Sequence, residues 1–122
     1  MIINQRQYAF KIDEKEYHCA LDVTQQFMGG KWKPVVLWYL RNQTYRFGEL
    51  KSQIPDITEK MLSIQLKQLE EQGLVQKAVF DEVPPRTEYS LTNRGKSLVP
   101  LLNEMARWGR EYAEENGEMI EK

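Results

Sequence analysis

The chain contains one cysteine and one histidine, and the two are neighbours, His18 and Cys19. A thiol beside an imidazole could serve as a nucleophile, a pair of metal ligands or a redox centre. Adjacent side chains diverge in direction, the imidazole has no orienting partner beyond an unspecified acid, and zinc would need further soft ligands. We therefore predict no enzyme, no catalytic residue, no metal site and no cofactor. Because a lone cysteine cannot form an internal disulfide, Cys19 is a buried apolar side chain, a reactive thiol or half of an intermolecular bridge.

A second group of chemically capable residues lies between positions 58 and 67. Lysine binds phosphates or guanine, serine binds bases or phosphates, and isoleucine contacts the methyl group of thymine. At about 100° per residue, a helix would place these side chains opposite a face of repeated leucines. The bland alternative is a solvated helix face. The predicted DNA-contacting residues of this helix are Thr58, Lys60, Ser63, Ile64 and Lys67.

The elements that would position these residues are indicated by apolar spacing and by helix-ending signals. Leu62, Leu66 and Leu69 recur at helical spacing, Thr58 suits an N-cap and Gly73 a C-cap. Pro34 favours a helix over a central strand for the apolar run around it. The spacing predicts helices over 20–28, 31–40, 47–54 and 59–73, strands over 74–80 and 87–91, and a long helix over about 92–115 that Pro100 bends without breaking.

A short helix, a turn and a longer helix make a helix-turn-helix, and a hairpin directly after it makes a wing. The loop of this hairpin lies in the stretch FDEVPPRTEYSLT, where two prolines would stiffen the tip and Arg86 would carry a cation to DNA. Asp81 and Glu82 would repel phosphate unless they point away. Lys31, Lys33 and Arg46 are further predicted phosphate contacts.

The bulk properties suit a single domain of 122 residues with a net charge of −1. Residues 1–96 carry a net charge of +2, whereas residues 97–122 carry −3. The chain has neither a signal-peptide pattern nor an apolar run near the roughly 18 residues of a membrane span, so we expect a cytoplasmic protein without a membrane partner.

Three segments in order resemble the HxlR-type winged helix-turn-helix regulators of bacteria, relatives of the MarR regulators. They are GGKWKPVVLWYL, FGELKSQIPDITEKMLSIQLKQLEEQGLV and VPPRTEYSLTNRGKSLVPLL. The resemblance covers about Cys19 to Tyr112. It implies a homodimeric, sequence-specific transcription regulator that binds an inverted repeat in double-stranded DNA. It also implies a dimer interface built by the N-terminal segment and by the terminal helix, whose apolar stripe is Leu98, Leu101, Leu102, Met105, Trp108 and Tyr112.

The resemblance further implies a role for Cys19, because several members sense oxidants or electrophiles through a cysteine at the matching position. The family usually has Cys-Pro there, and this chain has Cys19-Ala20. A neighbouring His18 and a helix N-terminus would both favour the thiolate. Control by oxidation or alkylation of Cys19 is therefore an expectation of the resemblance, with a buried structural thiol as the alternative.

The expected fold class is α+β, mostly α: a winged helix-turn-helix with a C-terminal dimerisation helix. We expect an N-terminal arm over 1–18 and the winged domain over 19–122. One alternative is a protein-interaction module without DNA binding, which the near-neutral charge and the acids beside the wing favour. The other is a regulator that responds to a small-molecule effector, with a pocket at the dimer interface between aromatic residues such as Trp108 and Tyr112.

Overall fold

The helices and short strands of the chain form an α+β fold in the computed structural model, which describes all residues from 1 to 122. The helices are α1 (Ala20–Met28), α2 (Trp32–Tyr39), α3 (Phe47–Gln53), α4 (Glu59–Glu71), α5 (Asn93–Ser97) and α6 (Val99–Asn116). The strands are β1 (Ile2–Ile3), β2 (Arg6–Gln7), β3 (Phe10–Ile12), β4 (Lys15–Tyr17), β5 (Tyr45–Arg46), β6 (Val75–Phe80) and β7 (Arg86–Leu91). No helix combines the length and the apolar character that crossing a membrane requires.

The core lies where α2, α3 and α4 meet the sheet and α6. Val36 and Leu37 of α2 are fully buried, as are Leu62 and Leu69 of α4. The predicted leucine face of α4 is therefore confirmed, since Leu66 is also only 2% exposed. The buried cluster contains Met28, Val36, Leu37, Leu40, Leu50, Ile54, Ile57, Leu62, Leu66, Leu69, Leu74, Val75, Leu91 and Leu102.

The capping signals predicted from the sequence define both ends of α4. The Thr58 hydroxyl accepts a hydrogen bond from the Met61 amide at 3.0 Å, which satisfies one of the free amides of the first turn. At the other end Gly73 has φ +76°, a left-handed conformation that glycine adopts without steric cost. The helix thus begins and ends where its own sequence specifies.

A three-stranded sheet in the order β5-β7-β6 carries the hairpin. The antiparallel pairing of β6 with β7 runs from Val75 opposite Leu91 to Phe80 opposite Arg86. Strand β5 has no counterpart among the predicted elements, because a strand of two residues has no periodicity and exists only through its pairing with β7. Its Arg46 also precedes α3, and the Arg46 amide donates to Glu49 Oε1 at 2.8 Å.

The C-terminal helix differs from the prediction of one helix bent at Pro100. Helix α5 ends at Ser97 and α6 begins at Val99, so the helix is interrupted at Leu98. Pro100 has no amide to donate to the carbonyl of residue 96, and its ring would collide with that carbonyl. The Leu98 amide instead bonds the Gly95 carbonyl at 3.1 Å, and Pro100 lies in the first turn of a new helix, where proline is tolerated.

The N-terminal arm consists of two small hairpins, β1–β2 and β3–β4. The central residues of both turns have positive φ, as two-residue hairpin turns require, with Asp13 at 49° and Glu14 at 66° in the second. Most side chains of the arm are exposed, and Tyr17 holds the arm to α1 by donating its hydroxyl hydrogen to Gln26 Oε1 at 2.8 Å.

We predict that Gly95→Ala destabilises the fold by about 1–3 kcal/mol, the usual cost of overpacking. A Cβ at Gly95 would lie 2.2 Å from the Leu74 carbonyl oxygen, which belongs to the backbone and cannot move aside cheaply. The measurement is urea unfolding followed by circular dichroism, at one protein concentration because association changes the midpoint.

The matched control is Gly48→Ala in α3, where a Cβ meets nothing within 4 Å. This variant should be neutral or more stable by up to about 1 kcal/mol, because alanine favours a helix over glycine. Equal unfolding midpoints for the two variants would contradict the close contact at Gly95.

Candidate nucleic-acid interface

Helix α4 presents one exposed face opposite its buried leucines. Lys60, Ser63 and Lys67 are exposed, and Ile64 keeps 38% of its surface in solvent. Thr58, also exposed, stands at the N-cap of the same helix. The four predicted DNA-contacting residues within the helix therefore lie on the side opposite the buried leucines, whereas Thr58 lies at its N-terminal end. Ile64 is an apolar side chain exposed among lysines. Such a side chain suits contact with the methyl group of thymine in the major groove.

The turn before α4 fixes the angle between α3 and α4. Ile54 and Ile57 are 5% and 1% exposed, so the turn inserts both side chains into the core. The Ile57 amide also donates to the Ile54 carbonyl at 3.2 Å. Because the turn is anchored at two points, α4 projects from the domain in one defined orientation.

The wing is the hairpin β6–β7 with the loop 81–85, and its predicted cation Arg86 lies at the base of this loop. Its guanidinium forms ion pairs with Glu82 at 3.4 Å and Glu88 at 3.3 Å. It also lies 4.2 Å above the ring of Phe80, the residue paired with it across the hairpin. The Arg86 side chain is thus half-buried at the base of the loop, and two carboxylates offset its charge. The Glu82 side chain points back toward Arg86, whereas Asp81 makes no ion pair.

The other predicted phosphate contacts are divided between two places. Arg46 is exposed and lines a cleft of about 400 Å³ with the wing loop. Lys31 and Lys33 lie at the start of α2. The Lys31 ammonium lies 4.6 Å from the centre of the Trp32 ring, and the Lys33 ammonium donates to the Gln26 carbonyl at 3.5 Å. Arg46 thus lies beside the wing, whereas the two lysines contact the corner between α1 and α2.

Two polar residues beside α4 are absent from the residues predicted from the sequence, Lys77 and Tyr89. They are directly opposite each other in the β6–β7 pairing and therefore share one face of the sheet. With Ser63, Lys67 and Glu70 of α4 they line a cleft of about 220 Å³. Burial, and secondarily the negative charge of Glu70, raises the pKa of the Tyr89 hydroxyl above its ordinary value. The register of the hairpin could have revealed the pair, but not its closeness to α4.

The apolar stripe predicted for a dimer interface is partly a core. Leu102 is 3% exposed and belongs to the buried cluster, and Leu98 is half-buried against that cluster. The first turn of α6 therefore packs against the core of the domain. The exposed members of the stripe are Leu101, Met105, Trp108 and Tyr112.

The aromatic pair on α6 is stacked. The rings of Trp108 and Tyr112 stack on each other, with centroids 5.5 Å apart. An apolar cavity of about 350 Å³ lies between α2 and α6, and its lining includes Trp38, Tyr39 and Met105. This cavity lies within one chain, and the pocket expected at the dimer interface between Trp108 and Tyr112 stays a prediction.

Cys19 lies at the N-cap of α1, and its thiol is half-buried. Its carbonyl accepts the Val23 amide at 3.2 Å and begins the helix. The neighbouring His18 is exposed, its amide donates to Asp22 Oδ2 at 2.9 Å, and its carbonyl accepts the N-terminal ammonium of Met1 at 3.2 Å. The thiol therefore occupies the junction between the arm and the domain.

Known proteins share this architecture and sequence. The family model for the HxlR-like helix-turn-helix matches residues 27–117. The chain is 48% identical over 101 residues to the uncharacterized HTH-type transcriptional regulator YkvN of Bacillus subtilis, covering 83% of this chain and 86% of that protein. A MarR-family transcriptional regulator structure from Porphyromonas gingivalis has a TM-score of 0.74 and 40% identity, covering 84% and 98%. The redox regulator HypR in its oxidized form has a TM-score of 0.72 and 37% identity, covering 83% and 100%.

The Thr58 hydroxyl stabilises the first turn of α4 through its hydrogen bond to the Met61 amide. Thr58→Ala should therefore destabilise the protein by about 1 kcal/mol, because this amide loses its partner. Ser63→Ala, on the exposed face of the same helix, should change stability by less than about 0.5 kcal/mol. Thermal unfolding of both variants measures the difference, and equal midpoints would mean that the Thr58 cap contributes nothing.

Proposed function

This chain belongs to the HxlR-like helix-turn-helix family of transcriptional regulators, as the resemblance of its three segments predicted, and on that premise we propose that it regulates transcription as a homodimer bound to an inverted repeat. The family and its relatives are regulators, so the chain is not an enzyme. The proposed contact is double-stranded DNA, with α4 in the major groove and the wing beside it. The inverted repeat follows from the two-fold symmetry of a homodimer.

The observation that carries this proposal is the exposed face of α4. Two lysines, a serine and an exposed isoleucine project from a helix whose opposite face is fixed in the core. The lysines supply phosphate attraction or hydrogen bonds to guanine, and Ile64 supplies apolar contact. A rigidly held helix loses little conformational freedom on binding, which favours specific recognition.

The exposed part of α6 supports the proposed dimer. Leu101, Met105, Trp108 and Tyr112 form an unpaired apolar row at the end of the chain opposite the arm. Exposed apolar patches of this kind mark interaction surfaces. We propose that residues 1–18 act as an arm that joins α6 in the interface and that residues 19–122 form the DNA-binding domain. Ile2, Ile3, Tyr8, Phe10 and Ile12 are the exposed apolar residues of this arm.

We propose that oxidation or alkylation of Cys19 controls DNA affinity. The chain has one cysteine, so a disulfide at Cys19 must join a second molecule, either another copy or a small thiol. The half-buried thiol begins α1 beside the arm, and an added group there would disturb both. The name of the similar structure, the redox regulator HypR, supports this proposal by analogy.

The proposal is tested by selection from a random double-stranded DNA library. We expect the protein to enrich an inverted repeat whose half-sites are separated by about 10 base pairs or a multiple, the spacing that two recognition helices on one face of DNA require. Footprinting on the enriched sequence should protect both half-sites. Enrichment of no sequence at low salt would overturn the proposal.

On the selected operator, Lys60→Ala should weaken binding roughly tenfold, since a lost base or phosphate contact costs about 1–3 kcal/mol. Lys96→Ala removes the same charge from α5 and should bind like the wild type. Fluorescence anisotropy at fixed salt gives both affinities. If the two variants bind equally well, Lys60 is not a DNA contact.

Diamide should change the operator affinity of the wild-type protein, and dithiothreitol should restore it. Cys19→Ser should bind like the reduced protein and ignore diamide, because the reacting thiol is gone. Non-reducing gels of the same samples distinguish a disulfide-linked dimer from capping by a small thiol. A Cys19→Ser protein that still responds to diamide would refute thiol control.

A further inference from the structure

A cleft separates α4 from the stem of the wing. Ser63, Lys67 and Glu70 line it from the helix, and Lys77 and Tyr89 line it from the hairpin, with Leu66 as the apolar floor. Its volume is about 220 Å³. The hairpin register holds Lys77 in place, because the opposite residue Tyr89 packs against the core. The cleft is thus built by two elements that the fold already fixes.

The polar groups of the cleft are free of intramolecular partners. Lys67 and Lys77 take part in none of the five ion pairs of the structure. The wing arginine, Arg86, is instead engaged by two carboxylates. Two lysines against the single Glu70 leave the cleft with a net positive charge. Tyr89 and Ser63 each add a hydroxyl to the lining of the cleft.

The position of the cleft matches one part of a DNA duplex. A helix in the major groove and a wing at the adjacent minor groove must straddle the sugar-phosphate strand that separates the two grooves. That strand passes between α4 and the hairpin, where the cleft lies. We propose that the cleft binds one backbone phosphate there, with Lys67 and Lys77 as the charged contacts and with Ser63 and Tyr89 as hydrogen-bond donors.

This inference rests on the proposed DNA binding and assigns Lys77 a task that the sequence had suggested for Arg86. Glu70 limits the anionic charge that the cleft tolerates, which suits a single phosphate. Such a contact positions the protein on DNA and carries no base specificity. Lys77 therefore contributes affinity equally to every sequence.

The experiment measures operator affinity as a function of salt for the full chain. Lys77→Ala should lower the slope of log affinity against log salt by about one, because one phosphate contact releases its counterion. Lys77→Arg should keep the wild-type slope. The matched control is Lys96→Ala, since Lys96 lines a cleft with Gln76 and Ser90 on the opposite face of the same sheet.

A second arm identifies the phosphate by replacing operator phosphates one at a time with neutral methylphosphonate. We expect one position per half-site, between the major groove and the adjacent minor groove, at which the replacement weakens the wild type and leaves Lys77→Ala unchanged. Equal sensitivity of both proteins at every position, or an unchanged salt slope for Lys77→Ala, would overturn the inference. A wild type that binds no DNA at low salt would instead overturn the proposed function.

Discussion

The burial of one face of α4 is the constraint on which the other features of the interface depend. Leu62, Leu66 and Leu69 are all at or below 2% exposure, and full burial of one such side chain stabilises the fold by roughly 1.5–3 kcal/mol. Turning the helix by one residue, about 100°, would bring these leucines into water and insert lysines into the core. The burial of these leucines alone therefore fixes the direction in which the opposite, exposed face of α4 points. The same packing places the Tyr89 strand beside the helix and so forms the cleft.

Positive charge in this molecule is concentrated at particular surfaces and does not appear in the net charge. The net charge of −1 gives no indication of a polyanion as partner, yet the exposed side of α4 and the adjoining cleft carry unpaired lysines. Acidic residues accumulate at the other end of the chain, on and after α6. Within the wing, Arg86 stacks on Phe80 and pairs with Glu88, so part of its charge is offset inside the chain. Its contact with DNA stays a prediction, and charge counts along a sequence do not show which cations are paired in this way.

Local signals predicted much of the fold. The leucine repeat, the Thr58 cap, the glycine after α4 and Pro34 each act within a few residues, so the sequence contains all the physics they need. The elements that were missed depend on distant partners. Strand β5 exists only through pairing with β7, the side chain of Arg86 stacks on Phe80 across the hairpin, and Lys77 lies beside α4 only because the sheet folds against it. The break at Leu98 also has a local cause, because a proline about two turns into the predicted helix removes a hydrogen bond and collides with a carbonyl.

The hydroxyl of Thr92 has a mechanical consequence. It donates to the Gly73 carbonyl at 2.6 Å and accepts the Gly95 amide at 3.1 Å, and the Thr92 amide donates to the Leu74 carbonyl at 3.0 Å. These hydrogen bonds join the end of α4 to the start of α5, and α5 meets α6 at the break. In the proposed dimer joined through α6, the angle at this break would set the distance between the two copies of α4. A substitution at the break would then change that distance without altering any residue predicted to contact DNA.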